Sequence, residues 1–174
     1  MILPSNIEIK AKTRDFAHQM ELAQAIAGGP GAVILQEDIF FCVLQGRLKL
    51  RLLSPKLGEL IYYERKNAAG PKTSDYLISQ TSDPEGLRCL LSSALGELGI
   101  VRKRRTLFYT GQTRIHLDEV EGLGCFLELE VVLQFGQSAE AGAVIAKDLM
   151  KRLEIAPEDL IEGAYLDLLL PRQL

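Results

Sequence analysis

Charged side chains recur at every second position along several stretches of this chain: Glu8, Lys10 and Lys12; Arg47, Lys49 and Arg51; Lys103 and Arg105; Arg114, His116 and Asp118; Glu128 and Glu130. Successive strand residues point to opposite faces, so each set would share one side of a strand. The intervening positions are apolar, as at Ile7 and Ile9, Leu48, Leu50 and Leu52, and Leu127, Leu129 and Val131. Strand by strand, the ordinary reading is that the charged faces are the wet side of a sheet. If the sheet instead curls into a barrel with helices outside, the apolar faces meet the helices and the charged faces line the interior. Such an interior needs water, carboxylate partners or a polyanion, because each isolated buried charge costs several kcal/mol. Arginine suits bidentate phosphate contact, and clustered Glu and Asp are an oxygen-ligand set for Mg²⁺ or Mn²⁺. The residues therefore point to a metal-dependent site for a phosphorylated small molecule.

Other chemistries have little to draw on. His18 and His116 are the two histidines, too few for a histidine-rich metal centre. Cys42, Cys89 and Cys125 form no CxxC pair or other metal-ligand spacing and are expected to be reduced, structural residues. His116 could serve in a tunnel, although a lone strand histidine is commonly a polar packing residue. In the basic run from Arg102 to Arg105, alternation sends Lys103 and Arg105 to one side and Arg102 and Arg104 to the other.

The elements that must position these residues are legible from periodicity and turn chemistry. Strands are expected at Ile7 to Lys12, Val33 to Leu44, Arg47 to Leu53, Glu59 to Arg65, Ser74 to Ser79, Val101 to Thr110, Thr113 to Val120 and Gly124 to Gln134. A helix from Thr13, as cap, to Ala27 carries Phe16, Met20 and Ala23 on one face; a second spans Thr81 to Leu98 and stops at Gly99. A third helix covers Ser138 to Leu153, and a short helical segment starts at Pro157 and runs to Gly163. Asn67 to Lys72 reads as a turn region.

The 174 residues carry a formal net charge of -3, 47% hydrophobic and 25% charged side chains. These values fit one α+β domain over residues 1–174, dominated by antiparallel strands, and speak against a globally basic nucleic-acid binder. No apolar run approaches a membrane span, and Met1 to Lys10 has no signal-like apolar region, so a cytoplasmic protein with no membrane partner is expected.

The ordered set Ile7-Glu8-Ile9-Lys10-Ala11-Lys12, Gly46-Arg47-Leu48-Lys49-Leu50-Arg51, Tyr63-Glu64-Arg65, Lys103-Arg104-Arg105, Arg114-Ile115-His116-Leu117-Asp118, Gly122-Leu123-Gly124, Glu128-Leu129-Glu130 and Tyr165 resembles the CYTH family of class IV adenylyl cyclases, thiamine triphosphatases and related triphosphate tunnel enzymes. The resemblance implies an eight-stranded antiparallel barrel whose basic lining holds a triphosphate and whose carboxylates hold Mg²⁺ or Mn²⁺. It implies triphosphate contacts from Lys10, Lys12, Arg47, Lys49, Arg51, Lys103, Arg105 and Arg114. It puts Arg65 near a tunnel lysine, as the catalytic group, with Lys66 pointing the other way, and makes Glu8, Glu128, Glu130 and Asp118 metal-site carboxylates. Asp38 and Phe40 match a strand pattern of the family, with Phe40 as core, and Tyr165 and Asp167 could close the tunnel. One departure is Asn6, where the family's ExExK motif has Glu; this removes a negative charge from the metal site. No His-Phe pair precedes the first strand, which weighs against the cyclase branch. The implied activity is a phosphohydrolase acting on inorganic triphosphate, thiamine triphosphate or a nucleoside triphosphate. The alternatives are a class IV adenylate cyclase and a non-catalytic polyphosphate- or nucleotide-binding module; a homodimer is also compatible.

Overall fold

In the computed structural model, which describes residues 4–65 and 68–170, the period-two alternation becomes eight strands: β1 (Ser5–Lys12), β2 (Ala32–Phe41), β3 (Arg47–Ser54), β4 (Leu57–Arg65), β5 (Lys72–Thr81), β6 (Glu97–Thr110), β7 (Thr113–Val120) and β8 (Gly124–Val132). They close into a barrel in the order β1-β5-β4-β3-β2-β6-β7-β8, every pairing antiparallel. Four α-helices accompany it: α1 (Phe16–Ala27), α2 (Pro84–Leu95), α3 (Ala139–Arg152) and α4 (Tyr165–Leu169), with a 3₁₀ turn at Pro157–Asp159.

The outward faces are the apolar ones. Ile7, Ile9 and Ala11 of β1, Ile115 and Leu117 of β7, and Leu127, Leu129 and Val131 of β8 pack with Ala23 of α1 and Ala146 and Leu149 of α3 into one core. Ile39, Phe41 and Leu50 form a second, covered by Leu87 and Leu91 of α2. Each large side chain buried there contributes roughly 1.5–3 kcal/mol. Gly142 lets α3 lie close against the sheet, since a Cβ there would stand 2.5 Å from Leu133 and 2.7 Å from Ile7.

Helix boundaries differ from the sequence expectation at three places, each for a local reason. The cap of α1 is Asp15, whose carboxylate accepts from His18 N at 3.0 Å, because the Thr13 hydroxyl is engaged with the Cys125 carbonyl at 3.1 Å. Helix α2 ends at Gly96 rather than Gly99; Gly96 adopts φ +79° and the chain turns at once into β6, where Glu97 pairs with Phe41. The expected segment from Pro157 to Gly163 is a single 3₁₀ turn, and the five-residue α4 beyond it has too little periodicity to be read from sequence. Among the described residues no helix is long and apolar enough to cross a membrane.

Candidate functional site in the barrel

Inward-facing residues surround a cavity of about 220 Å³. Among the described residues its lining holds seven cations, Lys10, Lys49, Arg51, Arg65, Lys103, Arg105 and Arg114, against four carboxylates, Glu8, Asp38, Glu128 and Glu130. Alternation explains this sorting. Within the run from Arg102 to Arg105, Lys103 and Arg105 are buried inward, while Arg102 and Arg104 pair outside with Glu37 at 2.6 Å and Glu119 at 2.7 Å.

Two carboxylates act as hubs. Asp38 accepts from Lys49 Nζ at 2.7 Å and from Arg51 Nε and Nη2 at 2.7 and 2.9 Å, with Lys103 Nζ 3.6 Å away. Burial alone would raise Asp38, but Lys49, Arg51 and Lys103 outweigh it and hold the carboxyl well below its usual range. Glu128 takes Lys10 Nζ at 3.0 Å and Arg105 Nη2 at 2.8 Å. Arg65 Nη1 donates to Glu8 Oε1 at 2.8 Å, and Arg114 Nε lies 2.9 Å from Glu130 Oε2 without hydrogen-bond alignment.

Two of the lysines are held below their usual range. Burial, followed by Arg105, lowers the Lys103 amine to about 7, and burial with Arg51 lowers Lys49. A polyanion entering this cavity would relieve both effects, because it supplies the missing charge where water is scarce.

One end of the barrel is stopped by α4. Phe40, Val101, Val120, Phe126, Tyr165 and Leu166 form an apolar plug there. The Tyr165 hydroxyl donates to Asp118 Oδ2 at 2.9 Å, and its ring packs on Phe126 with centroids 5.0 Å apart. Lys72 Nζ ties the preceding segment down by donating to the carbonyls of Ala68, Ile161 and Glu162 at 3.0, 3.3 and 3.3 Å. Along β6 the inward residues run from Val101 in the plug through Lys103 and Arg105 to Leu107 and Tyr109 at the other end. With Ile34, Tyr76 and Ile78 these make that mouth apolar and aromatic; Tyr109 is 62% and Ile78 50% exposed.

Lys10, Lys49, Arg51, Arg65, Lys103, Arg105, Arg114, Glu8, Glu128 and Glu130 are thus brought together on the cavity. Three of the expected residues, Lys12, Arg47 and Asp118, are not part of this lining. Lys12 is at the last position of β1, exposed and clear of the lining, because the strand ends at the barrel rim. Arg47 is not in the lining; its Nη2 donates to Asp167 Oδ2 of α4 at 2.8 Å, a tie between β3 and the helix that stops the barrel. Asp118 is fully buried behind Arg105, holding it at 2.7 and 2.6 Å and accepting from Tyr165, so it braces the lining and is not presented to the cavity. Lys66 lies outside the described residues.

The group of metal-compatible ligands among the described residues is His116, Glu128 and Glu130, whose ligand atoms all lie within 4.8 Å of one another. Among the described residues, the buried cavity atoms without a hydrogen-bond partner include two able to ligate, Asn6 Oδ1 and His116 Nδ1. Burial, then Arg105, lowers His116 and favours its neutral form. Carboxylates with orphaned oxygen and nitrogen donors fit a divalent cation. Sequence reasoning gave Asp38 no role; its only signal is that it precedes Phe40 by two, on the same face as the basic strands.

The CYTH domain family model matches residues 5–165. The MJ0240 protein of Methanocaldococcus jannaschii, provisionally named an adenylate cyclase, is 28% identical over 93% of this chain and 97% of its own length. The PH1012 protein of Pyrococcus horikoshii has a similar structure with a TM-score of 0.81 at 25% identity, covering 94% of this chain and 98% of that one. A Hippeastrum protein, HpAC1, described as an adenylyl cyclase with a dominant triphosphatase activity, shares the fold with a TM-score of 0.62 at 17% identity, covering 93% and 91% of the two chains.

Proposed function

The chain belongs to the CYTH family of triphosphate-acting enzymes, and from that premise we propose that it binds a linear triphosphate lengthwise in the barrel and hydrolyses it with Mg²⁺ or Mn²⁺. The observation that carries this reading is the excess of cations over carboxylates among the described residues of a cavity stopped at one end, with two lysines lowered by burial and by neighbouring arginines. Lys49, Arg51 and Lys103, gathered at Asp38, would share their protons with phosphate oxygens on one wall. Lys10, Arg105 and Arg114 would do so on the other. Arg65, steadied by Glu8, is the guanidinium suited to the charge that develops as a phosphoryl group departs. Glu128 and Glu130, with Glu8 beside them across the β1–β8 pairing, would hold the cation. When bound, the cation neutralises phosphate oxygens and polarises the phosphorus centre. The plug at Tyr165 keeps bulk water from the inner end.

A second reading, the cyclase, is favoured by the mouth: Ile34, Tyr76, Ile78, Leu107 and Tyr109 offer an apolar seat for an organic group attached to the phosphates. The name of the Methanocaldococcus relative points the same way. A substrate panel of inorganic triphosphate, thiamine triphosphate, ATP and GTP, each with Mg²⁺ and with Mn²⁺, separates the readings. Phosphate release supports the hydrolase; cyclic AMP with pyrophosphate from ATP replaces it with the cyclase. Tight binding without turnover under either ion would make the barrel a binding module, the outcome for which Asn6 is the precedent in the sequence.

A further inference from the structure

His116 is a polar group that its surroundings do not account for. It projects from β7 into the barrel, is 3% exposed, and its Nδ1 has no hydrogen-bond partner among the described residues. Leaving a buried polar nitrogen unpaired costs about 1–3 kcal/mol. A packing histidine avoids that cost with a carbonyl or hydroxyl partner, and none is supplied here. Glu128 Oε2 is 3.9 Å away, too far for a hydrogen bond, and already accepts from Arg105 at 2.8 Å. Glu128 and Glu130 share the inward face of β8, and one oxygen of each lies within 4.8 Å of the other and of a His116 ring nitrogen. Each carboxylate retains lone pairs beyond those its Lys or Arg partner uses.

We propose that His116, Glu128 and Glu130 form a mixed nitrogen–oxygen metal site that binds a transition ion such as Mn²⁺ in preference to Mg²⁺. It deepens the triphosphate reading of the same barrel and rests on that reading for what else the ion would touch. Mg²⁺ strongly favours oxygen ligands, whereas an imidazole nitrogen adds affinity for transition ions. The motif position that would carry a further carboxylate is occupied by the neutral Asn6, whose unpaired Oδ1 also faces the cavity. The ligand set has therefore lost one hard anionic oxygen and gained a softer nitrogen.

Pulsed EPR on the full chain loaded with Mn²⁺, alone and with inorganic triphosphate, tests this directly. The expected spectrum shows nitrogen modulation that changes on ¹⁵N-histidine labelling. The modulation persists in His18→Gln, on the exposed face of α1, and disappears in His116→Gln. Free-Mn²⁺ titration of His116→Gln should show about a tenfold or larger loss of Mn²⁺ affinity, with Mg²⁺ affinity changed less than about threefold. Should His116→Gln not fold, labelled wild type and His18→Gln still assign the nitrogen. Bound Mn²⁺ without histidine coupling in both states, no Mn²⁺ bound in either, or parallel loss of Mg²⁺ affinity overturns the proposal. Calorimetry with triphosphate is read separately: its failure sinks the triphosphate reading, while the spectrum with metal alone still decides the histidine.

Discussion

The ammonium of Lys10 stands 3.9 Å from the centroid of the Tyr165 ring, so the inner floor of the cavity is an aromatic face under a cation. That contact, with the Tyr165 hydroxyl on Asp118, joins the plug to the basic lining. Tyr165→Phe should cost about 1 kcal/mol in chemical denaturation, the worth of one hydrogen bond, and leave triphosphate binding within about threefold. Tyr165→Ala should cost about 3–5 kcal/mol by emptying the plug. Equal stability of Tyr165→Ala and wild type would show that α4 does not pack there.

Among the described residues, Asp38 is the carboxylate within 4 Å of all three of Lys49, Arg51 and Lys103. Asp38→Asn should destabilise the free protein by about 3–5 kcal/mol, because it strands buried charges. Inorganic triphosphate at 100 times its Kd would return about 2.7 kcal/mol to any form that binds it. The thermal shift on adding triphosphate should therefore be at least as large in the variant as in wild type. A smaller shift would mean that Asp38 shapes the anion site rather than standing in for the anion.

The depressed Lys103 amine gives a pH signature. With a folded-state value of about 7 against an ordinary 10.5, the unfolded chain binds the extra proton between these values. Stability should therefore rise with pH across that window, and the cost of the buried charge is complete below about pH 7. Binding of an anion favours the charged amine, so triphosphate binding at pH 8 should take up close to one proton, read from calorimetric enthalpies in buffers of different ionisation heat. Lys103→Met should abolish that uptake; an unchanged buffer dependence would remove Lys103 from the site.

Inward and outward cations should separate cleanly by function. Arg102→Ala, on the outer face opposite Glu37, should change stability by less than about 0.5 kcal/mol and leave affinity unaltered. Arg51→Ala should lower triphosphate affinity by about tenfold or more, since it removes a charge-assisted bidentate donor from a buried wall. Similar losses from both substitutions would argue for a surface anion site instead.

The parts of this architecture governed by strict alternation were legible in the sequence. Thr113 to Val120 is a strand over the expected bounds, and Lys103 and Arg105 are separated from Arg102 and Arg104 as period two requires. What was not legible depends on where a strand meets the barrel rim and on contacts distant in sequence. Lys12 keeps the alternation but overruns the cavity; Arg47 keeps it but is engaged by Asp167 of α4, 120 residues away. Asp118 looks like a ligand until Arg105 and Tyr165 are seen to take its oxygens. Asp38 shows the converse: one acidic residue in an apolar strand gains its meaning from three cations on two neighbouring strands.

Among the described residues, α4 stops one end and Lys72 fastens the segment that leads into it, which leaves the mouth at Tyr109 and Ile78 for traffic. A linear anion that enters lengthwise keeps its order inside, and the unit that goes in first must come out last. Cleavage would leave the inner fragment queued behind the outer one. The slowest step of a cycle could then be departure of the fragment nearest Tyr165, whatever the speed of bond breaking.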